Sequence, residues 1–286
     1  MTSLGRSVLA LCAVLAAAPA APARAQFVVA TTETLDFDRP ESWGMKYYAS
    51  LALFTSMGVP DKRTGGTIDL GFEGSYVPQM SDEERRIGFN GTKLEDVNKA
   101  SFFGRIRGSV GLGKGLALEL GYTPPIEMGG AKPNILALAL GRPFELSPAW
   151  RLGVRGYGQI GTIKGDITCS ADEVAAGDDV QLNPFQCVEP SEDESHQKVI
   201  GLGLNYMDLE FDVNALYADG LVEDHNVQLT SGTTVSATAG LTFEAGRWRV
   251  ATELFYSWLQ IMRPPATTSA NEGFFNARAF VSYRVR

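Results

Sequence analysis

The chain has 286 residues, of which 44% are hydrophobic, 10% aromatic and 20% charged. That is enough for one large domain or two small ones and too apolar for a disordered chain, and two histidines with three cysteines leave little room for a zinc framework. A formal charge of −8 argues against sequence-independent binding of nucleic acid and is compatible with a soluble surface or a charged interior.

Residues 1–25 read as a secretory signal peptide. Arg6 supplies the positive start, Val8–Ala18 the apolar run and Ala23-Arg24-Ala25 the cleavage site, so the mature chain is expected to begin at Gln26. A lipoprotein signal at Leu9-Ala10-Leu11-Cys12 is the weaker reading, because the residue before the cysteine should be small. Removal takes Arg6 and Arg24 away, leaving 23 basic against 33 acidic residues and a net charge of −10. Cys169 and Cys187 then remain as an even pair, expected to form one disulfide in an exported protein rather than two buried thiols. No later run approaches the roughly 18–20 apolar residues of a membrane helix; the longest is Ile135–Leu140.

Beyond the signal the apolar period is two. Residues 27–37 alternate weakly through Val29, Thr31, Leu35 and Phe37, and 46–55 form a soft strand. Ile68, Leu70, Phe72 and Tyr76 then alternate with Asp69, Glu73 and Ser75. Similar segments follow around Ile106–Leu112, Leu116–Tyr122, 134–141, Trp150–Val154, 198–206, Leu209–Tyr217, Val235–Phe243, Trp248–Trp258 and Ala277–Val285. Their connections alternate in length. Gly113-Lys114-Gly115, Arg142–Ala149, Met207-Asp208 and Glu244–Arg247 are short. Thr123–Pro133, 161–197, 218–233 and 259–273 are long. Counting back, 78–101 is long and 56–65 short. Tyr76, Tyr122, Trp150, Tyr217, Trp258 and Tyr283 sit near strand ends, where interfacial aromatic girdles belong.

This pattern resembles Gram-negative outer-membrane β-barrels over the whole mature chain. The expected fold is all-β: a transmembrane antiparallel up-and-down barrel of about twelve strands, or ten with residues 26–55 as a plug or an extra segment, in one domain over 26–286 with long extracellular loops. The expected partners are outer-membrane lipid and lipopolysaccharide, the barrel assembly machinery and small solutes, with no nucleic acid and no cofactor. One departure from the pattern is the terminus Tyr283-Arg284-Val285-Arg286, where such barrels usually end on an aromatic residue.

The alternation aims charge into the lumen. Arg105, Arg107, Arg151, Arg155, Arg249, Arg278 and Arg284 are expected to face in, with Glu73, Glu119, Glu210, Asp212 and Glu253 opposing them. Neighbouring strands should set Arg105 and Arg107 beside Glu119, and Arg249 beside Arg278. Two readings follow: a transverse field across a water-filled pore that filters small solutes, or a salt-bridge network that fills a closed interior. The sector Ile135, Ala137 and Ala139 is apolar on its inner face and suits a partly hydrophobic solute or an inward-folded segment.

The remaining motifs have blander readings. Gly108–Lys114 has phosphate-loop spacing, but Gly115 replaces the magnesium-binding Ser or Thr and a strand follows, so it reads as a hairpin turn. Asn90-Gly91-Thr92 is a sequon that a bacterial outer membrane would leave unread. The acidic stretches 171–180 and 189–194 match no calcium loop and read as solvated. A lipid hydrolase would need His196 or His225 beside a serine; Ser195 precedes His196 directly and should point the other way. The leading expectation is therefore passive passage of small solutes without enzymatic activity, with a closed structural or partner-binding barrel second and a lipid-modifying enzyme using His225 third.

Overall fold

The computed structural model describes residues 31–58, 63–147, 150–202, 204–218 and 222–286, leaving aside the side chains of residues 151 and 222–225. The signal segment expected at 1–25 lies outside them. Strands make up 59% of the structure and helices 9%, which places it in the all-β class. Among the described residues no helix is long and apolar enough to cross a membrane.

Ten long strands make a closed ring: β1 (Ile68–Tyr76), β2 (Phe102–Gly113), β3 (Leu116–Thr123), β4 (Lys132–Ser147), β5 (Trp150–Gly165), β6 (Asp193–Gly201), β7 (Leu204–Tyr217), β8 (Val222–Ala245), β9 (Trp248–Trp258) and β10 (Phe274–Arg284). Each pairs antiparallel with the next in sequence, and β10 pairs with β1. Closure gives every ring strand a partner on both sides, so no ring strand is an edge along its whole length. The ring is staggered. Pairing partners followed from Thr234 through Asn205, Gly201, Tyr157, Ala139, Glu119, Ser109 and Asp69 end at Arg284, which bonds to Arg247 beyond the far end of β8. Such a stagger requires strands tilted to the ring axis. At one end the turns are tight. At Gly113-Lys114-Gly115 all three residues have positive φ (86°, 53° and 79°), as a hairpin turn needs. The long connections 77–101, 124–131, 166–192 and 259–273 gather at the other end.

Several boundaries differ from the sequence expectation. The ring has ten members, not about twelve, because residues 46–55 are mostly helix. Helix α1 (Pro40–Leu51) starts with Pro at its first turn followed by Glu41, a favourable N-terminus, and then runs through residues of mixed helix propensity, Gly44 among them. It is buried on every side from Ser42 to Leu51, so it needs no amphipathic period, and the ring around it offers no strand edge to join. The weak strand expected at 27–37 falls partly outside the described residues; within them Thr31–Thr34 is extended. It runs parallel to β8 along Asn226–Leu229, outside the ring, where β9 has already stopped at the Trp258–Val235 pair. Residues 142–147 extend β4 and 222–233 belong to β8 rather than to loops. Met207 and Asp208 are mid-strand. The chain reverses after Gly201, which pairs with Asn205, so the soft segment 198–206 straddles the turn.

Side chains alternate across the wall. Leu70, Phe72, Ile106, Leu138, Ile160 and Leu254 face outward, each about half exposed, and Leu241 is 79% exposed. A soluble monomer rarely carries so extended an apolar surface. Trp150, Trp248 and Tyr283 lie at the tight-turn end of this belt, and Tyr76, Tyr122 and Trp258 at the long-loop end. Tyr217 does not join them. It is buried with Val213, Ala215 and the Cys169–Cys187 disulfide, which bridges Cα atoms 5.7 Å apart. Beside the disulfide, Ser170 and Glu173 form a capping box on the short helix Ala171–Ala175.

The bridge spans a sequence separation of 18, for which chain entropy gives a constraint of about 3 kcal/mol. Replacing both cysteines by alanine is expected to expose 170–186 to limited proteolysis while β5 and β6 keep their amide-exchange protection. Loss of protection in those strands would show that the bridge supports the ring itself.

Candidate functional site

The ring interior is occupied by α1 and the segment that follows it. At its loop end the helix is tied to the rim: Trp43 Nε1 donates to the Glu272 carbonyl at 3.0 Å, Lys46 Nζ to those of Gln260 (2.6 Å) and Phe37, and Tyr47 Oη to that of Pro78 at 3.0 Å. Its other end points into the ring. A helix leaves its last carbonyls without partners and carries partial negative charge there.

Four arginines converge on that end. Arg278 of β10 donates through Nη1 to the Leu53 carbonyl at 2.6 Å, and through Nη2 to those of Leu51 (3.2 Å) and Ser50 (3.4 Å). Arg105 of β2 donates to the Ala52 carbonyl. Arg107, two residues on, reaches the Thr55 carbonyl at 2.8 Å, Glu73 at 2.8 Å and Glu119 at 3.0 Å. Arg155 of β5 donates to the Phe54 carbonyl at 2.6 Å and to Glu119 at 3.1 Å. The Phe54 ring lies 4.2 Å from the Arg107 guanidinium and 4.7 Å from that of Arg155, and packs on Ala137 and Ala139. The inner apolar sector noticed in the sequence thus receives a segment of the chain itself. Only Arg carries enough donors to serve several carbonyls and a carboxylate at once, and its charge suits a helix C-terminus.

The remaining expected lumen residues divide. Glu119 stands between Arg107 and Arg155, while Arg105 is nearer Glu73 (3.8 Å). Glu253 is buried and pairs in register with Arg278. Arg249 is not beside Arg278. Its register partner is Ser282, and its side chain reaches the Met57 carbonyl at 3.4 Å and Glu244 at 3.8 Å. Arg284 meets Asp69 at 3.3 Å near the tight-turn end. The Arg151 side chain lies outside the described residues. Glu210 and Asp212 correct the expectation: the inward positions of β7 are Asn205, Met207, Leu209 and Val213, so the two acids belong to the outer face. Moving the turn back from 207–208 removes the strand start on which the inward expectation rested, and the apolar face here turns in because Met207 and Leu209 join the cluster around the helix.

For a hydrolase the geometry offers little. Ser195 is buried on the inner face, whereas His196 is on the outer face with Nε2 4.0 Å from Glu194. The side chain of His225 is outside the described residues. Among the described residues no cluster of three or more His, Cys, Asp or Glu groups could hold a metal ion.

Sequence reading missed the partner of the arginines, a run of backbone carbonyls from residue 50 to 55. The available signal was Pro40-Glu41, a helix start ahead of a segment lacking clean alternation. Arg278→Ala would strip three carbonyls and Glu73 of a buried cation, a loss on the order of 3–5 kcal/mol. The expected result is a lower urea midpoint and faster maleimide labelling of a cysteine placed at Thr55, with Arg278→Lys intermediate in both. No protein-family model matches the chain, and no curated protein matches it either.

Proposed function

We propose that the chain is an outer-membrane β-barrel stoppered by its own N-terminal segment, closed at rest, and presenting its disulfide-pinned loops and mouth to the outside. The closed ring with an apolar outer wall supports the membrane reading, since a bilayer core tolerates no strand edge bare to lipid. The observation that supports closure is the seating of residues 50–55 on Arg105, Arg107, Arg155 and Arg278. In an open pore those cations would face water. Here each of the four donates to at least one carbonyl of the plug, so the charged lumen serves as a socket before it serves as a filter.

A second reading, passage of small solutes once the plug moves, draws on one feature. Thr238, Gly240 and Thr242 are inward positions of β8 opposite Phe255, Glu253 and Ala251, yet they are exposed. Water therefore reaches the inner wall on this side of the ring, and the segment seated on the arginines stands in any solute's way.

Planar-bilayer recording tests both. Refolded wild type is expected to show no steady conductance, and deletion of residues 40–58 to produce steady openings. Persistent conductance in the wild type would overturn closure, and silence in the deletion variant would overturn the solute path. The membrane reading has its own check. In vesicles of brominated lipid, single-tryptophan variants retaining Trp150, Trp248 or Trp258 are expected to be quenched strongly, and one retaining Trp43 hardly at all.

A further inference from the structure

The ring wall is not equally tall all the way round. β8 pairs with β7 from Val222 to Val235 and with β9 from Val235 to Ala245. Among the described residues, nothing pairs with the other edge of 236–245. Every residue from 237 to 245 is exposed, whichever face it occupies. β5 shows the same on the facing side. It pairs with β4 from Trp150 to Lys164 but with β6 only from Tyr157 to Gly165, so the edge of 150–156 is open. Between these edges the β6–β7 hairpin ends early. Gly201 pairs with Tyr157 and Leu204 with Val235, so the turn stops seven residues short of the end of β5 and ten short of the end of β8. The result is a notch, open at the tight-turn end, where two strands are missing from the wall. Three strand spacings separate its rims, roughly 14 Å.

The notch lies inside the apolar belt. Trp150 and Trp248, beside the turns that end β5 and β8, mark the margin of that belt, and the β6–β7 turn stands well inward of them. Its composition agrees. Ile200-Gly201-Leu202-Gly203-Leu204 carries no polar side chain, whereas turns at the margin carry Lys114, or Glu244 and Arg247. Ile200 and Leu202 are 70% and 71% exposed.

Through the notch an apolar outside meets a polar inside. Leu152, Val154, Leu241 and Phe243 face out from its rims. Gly153, Thr238, Gly240 and Thr242 face in and are exposed. The plug borders the inner side, since Arg155 holds the Phe54 carbonyl and a Cβ on Gly58 would meet the Thr242 hydroxyl. On the other flank of β8 the outer wall dips into a mostly apolar recess of about 730 Å³, lined by Gly74, Ala239, Ala277 and Ala279 and bordered by Leu241 and Leu254.

We infer that this notch binds a single-chain amphiphile astride the wall, with its head group inside the ring and its chain on the apolar outer face. Backbone groups at membrane depth are tolerated only against water or protein, so the two open edges reject bare hydrocarbon. A hydrogen-bonding head group satisfies the edges and the threonine hydroxyls. Its chain passes Leu241 and fills the recess, which removes apolar surface from water during entry and packs small side chains that the wall leaves uncovered. A hairpin from another polypeptide would pair the edges but leave the recess empty. The inference rests on the membrane reading above and adds the class of molecule that the wall admits.

The test uses the full chain in phosphatidylcholine vesicles, with one added cysteine carrying a bimane label. Thr238→Cys reports the inner side of the notch, and Thr242→Cys serves if that variant fails to fold. Leu138→Cys, on the outer face of β4, reports the bilayer. The probe is lysophosphatidylcholine with a nitroxide beside its head group. The label at 238 is expected to lose most of its emission at probe levels that take little from 138, and unlabelled lysophosphatidylcholine should restore it. A nitroxide on two-chain phosphatidylcholine should quench 138 and spare 238. Silence of 138 with both lipid probes would overturn the membrane reading itself. With 138 quenched, a label at 238 reached only by a water-soluble nitroxide would reduce the notch to a water gap, and one reached by no probe would mean a covered notch. Either result overturns the inference, as does slow amide exchange of 236–245 in vesicles free of lysolipid, the sign of an edge already paired by protein.

Discussion

Everything inside the ring depends on one contact, that between four guanidinium groups and the backbone carbonyls of residues 50–55, at the end of α1 and just beyond it. A ring of about eight strands is just filled by its own side chains; with ten, bulk must come from elsewhere. Residues 40–58 supply it. A helix is the economical form for that segment, because it satisfies its own backbone except at its ends, and the arginines complete the end that faces inward. The socket holds four cations against Glu73 and Glu119, with buried Glu253 opposite Arg278 as a third acid. The helix dipole and the carbonyls of 50–55 absorb the excess, so the cluster is matched to the plug and not to itself. Buried charge of this kind is weak ground for stability but good ground for specificity, since another segment would leave the cations unserved.

The same contact orders the rest of the wall. Where the ring meets the helix body, its inner face turns apolar, as at Met207, Leu209 and Ile135. Where it meets the helix end, the inner face is ionic. Outside, the apolar belt gives way near the long loops to Lys164, Glu194, His196, Lys198 and Asp208, with ion pairs Lys164–Glu194 (2.7 Å) and Lys198–Asp208 (3.4 Å). Face and height on the ring together decide a residue's character. The mouth is tied to the start of the same helix, so the N-terminal segment contributes to both the socket and the mouth.

Much of the architecture was legible because a strand's period of two is local and repeats. The β1, β2, β3, β9 and β10 segments alternate cleanly, since both their faces have uniform surroundings along most of their length. The pairing of Cys169 with Cys187 needed only parity in number and an expected destination. The alternation of short and long connections also survived errors in individual boundaries except after β7, where 222–233 are strand and only 218–221 lie between β7 and β8. What misled was β7, where Leu209, Val213 and Tyr217 look like a lipid face and are instead an inner one. Hydrophobicity reports burial or lipid contact without saying which, and only the neighbours separate the two. Arg249 was misplaced for a related reason: facing direction is readable from parity, but the register between strands is set by stagger around the whole ring.

By itself, then, the chain's pattern determined an antiparallel all-β structure, the inward aim of Arg105, Arg107, Arg155 and Arg278, and the end at which the long loops gather, because each follows from alternation and spacing along a few residues. Tertiary structure alone decided the count of ten, the helix in place of a strand over 46–51, the outward turn of Glu210 and Asp212, and the partner of the arginines. Those outcomes rest on closure: once the last strand pairs with the first, the leftover helix has no edge beside it to join, and the enclosed volume selects what fills it.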